Sequence, residues 1–166
     1  MKHNAGPSEF KGLHGIEYFQ FEEDFIEKNV RCIPMIVRFK MDAAGIKLKL
    51  AEWSKFSTEE RVELALKPCI NEVDVEAYKK YLADLIINRT GKEATTMEVD
   101  KCPVWAMLYE LPGILIEKAN EFGNGISLDQ WASLTDLQRF ALLKLCREGH
   151  ENKNFPKAFR EFGLLD

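Results

Sequence analysis

The run Cys146-Arg147-Glu148-Gly149-His150-Glu151-Asn152-Lys153-Asn154-Phe155 gathers more titratable and hydrogen-bonding groups than any other ordered-looking stretch of the chain. Cys146 and His150 are spaced to share one metal ion, but zinc asks for three or four ligands, and no further ones lie nearby in sequence. A Cys–His nucleophile pair would also need a third group to orient the imidazole and donors for an oxyanion. The alternative is structural. Gly149 would end a helix, while His150, Asn152 and Asn154 would satisfy stranded carbonyls and cap the next helix. A neutral His150 could also bridge two parts of the fold by hydrogen bonds.

Four arginines, Arg31, Arg38, Arg61 and Arg139, stand beside apolar positions. They either form salt bridges with residues such as Asp24, Asp42 and Glu60, or make a cluster whose guanidinium forks bind an anion or an acidic partner. Both readings stay open at this level. Cys32, Cys69, Cys102 and Cys146 make no CxxC pair, so zinc ribbons, thioredoxin-type sites and local iron–sulfur motifs find no support. The loop Gly123–Trp131 has a calcium-loop flavour. With Ile126 in the apolar eighth position, however, Gln130 takes the last position and cannot replace a bidentate glutamate. GxGxxG, Walker, HExxH and GxSxG patterns are all missing.

Helices must position these groups. Ile33, Ile36, Val37, Met41 and Ala44 follow the 3.6-residue period, with Pro34 suited to the first turn and Gly45 to the stop. A short helical turn is expected over Leu48–Phe56. Ser57-Thr58-Glu59-Glu60 reads as a capping box for a helix that Pro68 ends. Asp74 is expected to cap another helix reaching about Asn88, followed by a polar loop over Lys92–Lys101. Ile16–Phe21 reads as an extended arm.

Residues 33–66 lie over residues 111–144 without a gap. Pro34/Pro112, Ile36/Ile114, Lys40/Lys118, Gly45/Gly123, Leu50/Leu128, Trp53/Trp131, Arg61/Arg139 and Leu64/Leu142 are identical pairs. The capping box recurs as Thr135-Asp136-Leu137-Gln138. The expectation is one all-α domain over 1–166, built from two similar helix–loop–helix halves (30–90 and 103–164) in pseudo-two-fold symmetry. A loose arm over 1–15 precedes them. Neither half should bury its apolar stripe alone.

Composition agrees with a soluble globule: 46% hydrophobic and 30% charged residues, with a net charge of −4. That charge gives no basic field for nucleic acid. The strongest apolar run, Val104–Ile116, is interrupted by Glu110 and Pro112, so it falls short of the roughly 18 residues of a membrane span. No secretory leader is visible, and a cytoplasmic protein is expected.

Two longer strings, Arg31-Cys32-Ile33-Pro34-Met35-Ile36-Val37-Arg38-Phe39-Lys40 and Gly149-His150-Glu151-Asn152-Lys153-Asn154-Phe155, resemble the bacterial nitrate reductase associated protein family. Gly45-Ile46-Lys47-Leu48, Trp53 and Gln138-Arg139-Phe140-Ala141-Leu142 share the resemblance, which spans roughly Phe19 to Leu164. It implies a non-catalytic accessory protein for assimilatory nitrate reductase, with no resident cofactor or metal. Such a protein would help maturation or cofactor insertion, or stabilise the enzyme, and could meet the molybdenum cofactor transiently. The matching polar residues Arg31, Arg38, Lys40, Arg139, His150, Glu151, Asn152 and Asn154 become candidates for contact with a partner or an anion. The alternative is a small ligand-binding protein or enzyme with a His/Arg/Glu cleft between the halves.

Overall fold

The computed structural model describes residues 8–26, 32–147 and 153–165. Arg31, Gly149, His150, Glu151 and Asn152 therefore lie outside the described residues. The chain divides into two compact units, Met1–Asp100 and Lys101–Asp166. Helix dominates both, as expected, and the strand content among the described residues is one two-stranded pairing.

In the first unit, α1 (Gln20–Ile26) precedes α2 (Met35–Ala44). Pro34 opens α2 but carries no side-chain donor or acceptor, so the exposed amides at this helix start need help from elsewhere. The buried Glu22 supplies it: its carboxylate accepts from the Met35 amide at 2.6 Å and from the Phe19 amide at 3.2 Å. Gly45 ends the helix in the left-handed region (φ 73°) and donates to the Met41 carbonyl.

The chain then runs into β1 (Ile46–Lys47), which pairs antiparallel with β2 (Thr95–Thr96) in the register Ile46↔Thr96 and Lys47↔Thr95. The stretch expected to be only a polar loop therefore contributes a strand. Its partner lies about fifty residues away, which no local pattern reveals.

Helices α3 (Leu50–Trp53) and α4 (Thr58–Leu66) follow. The capping box of α4 forms as read: the Glu60 amide donates to Ser57 Oγ at 3.1 Å, and the Ser57 amide to Glu60 Oε1 at 2.7 Å. Helix α5 (Glu72–Thr90) starts earlier than expected. Asn71 is its cap, accepting from the Asp74 amide at 2.9 Å, so Asp74 lies inside the first turn. Asn71 wins because its side chain reaches the third helical amide without competing for a helical position. Gly91 ends α5 in the left-handed region, just beyond the expected Asn88.

The described part of the arm read as loose is anchored at Phe10, while Lys11, Gly12, His14 and Gly15 are exposed. Phe10 is 1% exposed and stacks on Trp53 with ring centroids 6.2 Å apart. Ser8 Oγ donates to Glu23 Oε1 at 2.8 Å and lies 2.9 Å from the Tyr18 hydroxyl. Ile16–Phe21 is extended only in its first part, since α1 begins at Gln20 and both Phe19 and Phe21 are buried. Val37, Leu64, Ala65, Leu82 and Ile86 form the centre of this unit's core.

The second unit opens with a 3₁₀ turn (Val104–Ala106), then α6 (Gly113–Glu121), α7 (Leu128–Ser133), α8 (Asp136–Leu145) and α9 (Phe155–Glu161). Capping boxes start α7 (Ser127, Gln130) and α8 (Thr135, Gln138). Leu115, Trp131, Leu142, Leu145, Phe155 and Phe159 are buried. Asn154 occupies the N-cap position of α9 but makes no side-chain capping bond, so the capping expected of it is not formed.

Candidate functional site

The aligned positions of the two units carry the same local chemistry. In the first, the Arg61 guanidinium lies over the Trp53 ring at 5.9 Å, and its Nη1 donates to the Phe56 carbonyl at 2.7 Å. In the second, Arg139 lies over Trp131 at 5.9 Å, and its Nη1 donates to the Leu134 carbonyl. Nη2 reaches Thr58 Oγ1 in one unit and Asp136 Oδ1 in the other. Each of these partners also matches in the ungapped alignment.

The remaining donor, Nε, differs. Arg61 Nε donates to Glu9 Oε1 of the arm at 2.7 Å, whereas Arg139 Nε donates to the Trp105 carbonyl at 2.6 Å. Each arginine thus fastens a preceding segment over its own Trp-bearing core. The salt bridging weighed for these arginines does occur, with Glu9 for Arg61 and Asp136 for Arg139, while Glu60 pairs with Arg89 at 2.9 Å.

Lys40 and Lys118 are likewise both buried. Lys40 Nζ donates to the Ala65 and Lys67 carbonyls, each at 2.6 Å, at the C-terminal end of α4 where helix carbonyls lack intrahelical partners. Burial lowers its pKa. Lys118 pairs with Glu121 at 3.1 Å. Each lysine also acts on a thiol: Lys40 draws the Cys69 pKa down against a larger upward push from burial, and Lys118 does the same to Cys146. The net effect leaves both thiols raised, Cys146 to about 12, so neither is a ready nucleophile near neutral pH.

Of the residues singled out by sequence, Lys40 and Arg139 therefore hold backbone carbonyls inside their units. Arg38 is half-buried on α2, with Nη1 3.8 Å from Met35 Sδ. It points away from Lys40, as positions two apart on a helix must. Asn154 is half-buried at the start of α9. Arg31, His150, Glu151 and Asn152 fall outside the described residues. Among the described residues, no group of three or more His, Cys, Asp or Glu is placed to hold a metal ion. Nor is any helix among them long and apolar enough to cross a membrane.

The surface that stands out lies in the second unit. Trp131 Nε1 donates to the Met107 carbonyl at 2.7 Å, and Arg139 Nε takes the Trp105 carbonyl. These two bonds turn Trp105 and Met107 inward, half-buried, while Val104 and Leu108 face outward at 45% and 44% exposed. Tyr109 follows at 78%, and Ile114 and Ile116 at the start of α6 are also exposed. The sequence reading weighed Val104–Ile116 only as a membrane span. Val104-Trp105-Ala106-Met107-Leu108 is apolar throughout, so the sequence alone does not mark which of these side chains face outward. Glu22, the buried cap of α2, was missed because its partner Met35 lies 13 residues away.

A family model described as conserved nitrate reductase-associated protein matches residues 18–162. No curated protein and no solved structure matches the chain.

Proposed function

The chain belongs to the family of conserved nitrate reductase-associated proteins, and we propose that it serves assimilatory nitrate reductase as a non-catalytic accessory protein in the cytoplasm. The observation that carries this reading is the family match over nearly the whole chain. The disposition of side chains supports it. Two of the eight candidate polar residues, Lys40 and Arg139, hold backbone carbonyls, and both pKa-shifted thiols are poor nucleophiles. What the second unit offers to solvent is an apolar strap suited to contact with protein.

In this reading the protein engages immature reductase, holds it receptive, and assists insertion of the molybdenum cofactor, which it meets only in passing. The repeated Arg–Trp pairs, capping boxes and buried lysines further support descent of the two units from one duplicated ancestor.

The test is nitrate reductase activity per unit of reductase protein in cells lacking this gene. The expected result is a normal amount of reductase with activity and molybdenum content both reduced. Unchanged specific activity would overturn the proposal.

A further inference from the structure

Between Cys102 and Thr135 the charged residues are Glu110, Glu117, Lys118, Glu121 and Asp129. The one cation, Lys118, is 7% exposed and paired to Glu121. The charges that this stretch presents to solvent are therefore all negative, with Glu110 directly following the apolar strap; the exposed Lys101 just before it is preceded by Asp100. Val104, Leu108 and Tyr109 together expose more apolar side chain than a solvated loop needs. The strap is also held in place before any partner arrives, because the Trp105 and Met107 carbonyls are fixed by Arg139 and Trp131. A pre-ordered strap loses little conformational entropy on binding. Tyrosine adds a large contact area with few rotatable bonds.

From this combination we infer that the strap around Val104–Tyr109, with Glu110 and Glu117, is a docking surface for a basic amphipathic segment of a partner protein. Apolar side chains of that segment would cover Leu108 and Tyr109, and its lysines or arginines would face the two glutamates. The inference deepens the accessory-protein reading and rests on it for the identity of the partner, an exposed basic segment of immature nitrate reductase. The sign is opposite to the one that the arginines suggested from sequence. A nucleic acid would be repelled. A second copy of this chain would bring like charges together in any symmetric pairing through this face.

The test titrates the full chain with two helical model peptides, one of leucine and lysine and one of leucine and glutamate. The expected result is a preference of about tenfold or more for the lysine peptide. Glu110→Lys/Glu117→Lys should lose that preference, and Leu108→Ser/Tyr109→Ser should weaken binding about tenfold, both without a change in melting temperature. Glu76→Lys/Glu93→Lys changes net charge equally on the first unit and should keep the preference. Purified nitrate reductase is then offered to the same variants.

Loss of reductase binding in the strap variants alone supports the whole inference. If the peptides behave as expected and the reductase does not bind, the surface stands and the nitrate reductase reading falls. Three results overturn the surface even where reductase binds elsewhere: equal binding of both peptides, indifference of the strap variants, or a dimer that the strap variants dissolve.

Discussion

Arg61 and Arg139 show how one residue type can look like a site and act as a fastener. A guanidinium carries five donors in a rigid fork, so it can serve a helix-end carbonyl, a side chain on the next turn and a segment from elsewhere at once. Arg139 does so with Leu134, Asp136 and Trp105, and Arg61 with Phe56, Thr58 and Glu9. Removing the fork leaves buried acceptors without donors. Arg139→Ala is therefore expected to lower unfolding free energy by about 2–4 kcal/mol, and Arg61→Ala by somewhat less because Glu9 can return to water. Arg139→Lys should restore little, since one ammonium cannot span three acceptors. Urea unfolding followed by tryptophan fluorescence checks this, and an Arg139→Ala change below about 0.5 kcal/mol would contradict the fastening role.

The elements are delimited by their ends. Ser57, Asn71, Ser127 and Thr135 cap four helices through bonds between neighbours in sequence. Glycines end others, and here the aligned pair Gly45 and Gly123 separates local from tertiary demand. Both have φ near 72°. A Cβ on Gly123 would meet nothing within 4 Å, whereas on Gly45 it would lie 2.9 Å from the Met97 carbonyl oxygen and 3.0 Å from Val99 Cγ2. Gly45 lies tight because the Met97 amide donates to its carbonyl at 2.8 Å beside the β1–β2 pairing. Gly123→Ala is expected to cost about 1 kcal/mol, the left-handed penalty alone. Gly45→Ala should cost about 2–3 kcal/mol because backbone must move as well. Thermal melting of the two variants checks the ranking, and equal effects would refute the close approach at Gly45.

At the scale of the whole molecule, the chain is two compact units meeting in sequence at Asp100/Lys101. The stretch leading there, from Gly91 to Cys102, is exposed at nearly every position apart from a half-buried Ala94. Exposed connecting segments of this kind are where proteases first gain access. Limited trypsin digestion is therefore expected to cut first after Lys92 or Lys101, before any site within α2, α4 or α8, as mass spectrometry of the earliest fragments would show. First cuts inside those helices would contradict the division.

The sequence by itself determined the helical class, the capping boxes at Ser57 and Thr135, the glycine stop at Gly45 and the family. Each of these depends on residues within about one helical turn of each other, or on strings long enough to be distinctive. It also exposed the repeat, and with it the matched Trp, Arg and Lys positions. Only the tertiary structure decided what those positions do. Glu22 caps a helix 13 residues on, Lys40 holds carbonyls 25 and 27 residues on, Arg139 takes the Trp105 carbonyl 34 residues back, and Arg61 takes Glu9 52 residues back. The sequence shows the side chains that make these bonds, but the partner of each is chosen by which backbone or side-chain group the packed core brings within hydrogen-bond reach. The same holds for the strap: its apolar residues are plain in the sequence, yet whether they face core or solvent is set by the two bonds that turn its backbone inward at Trp105 and Met107.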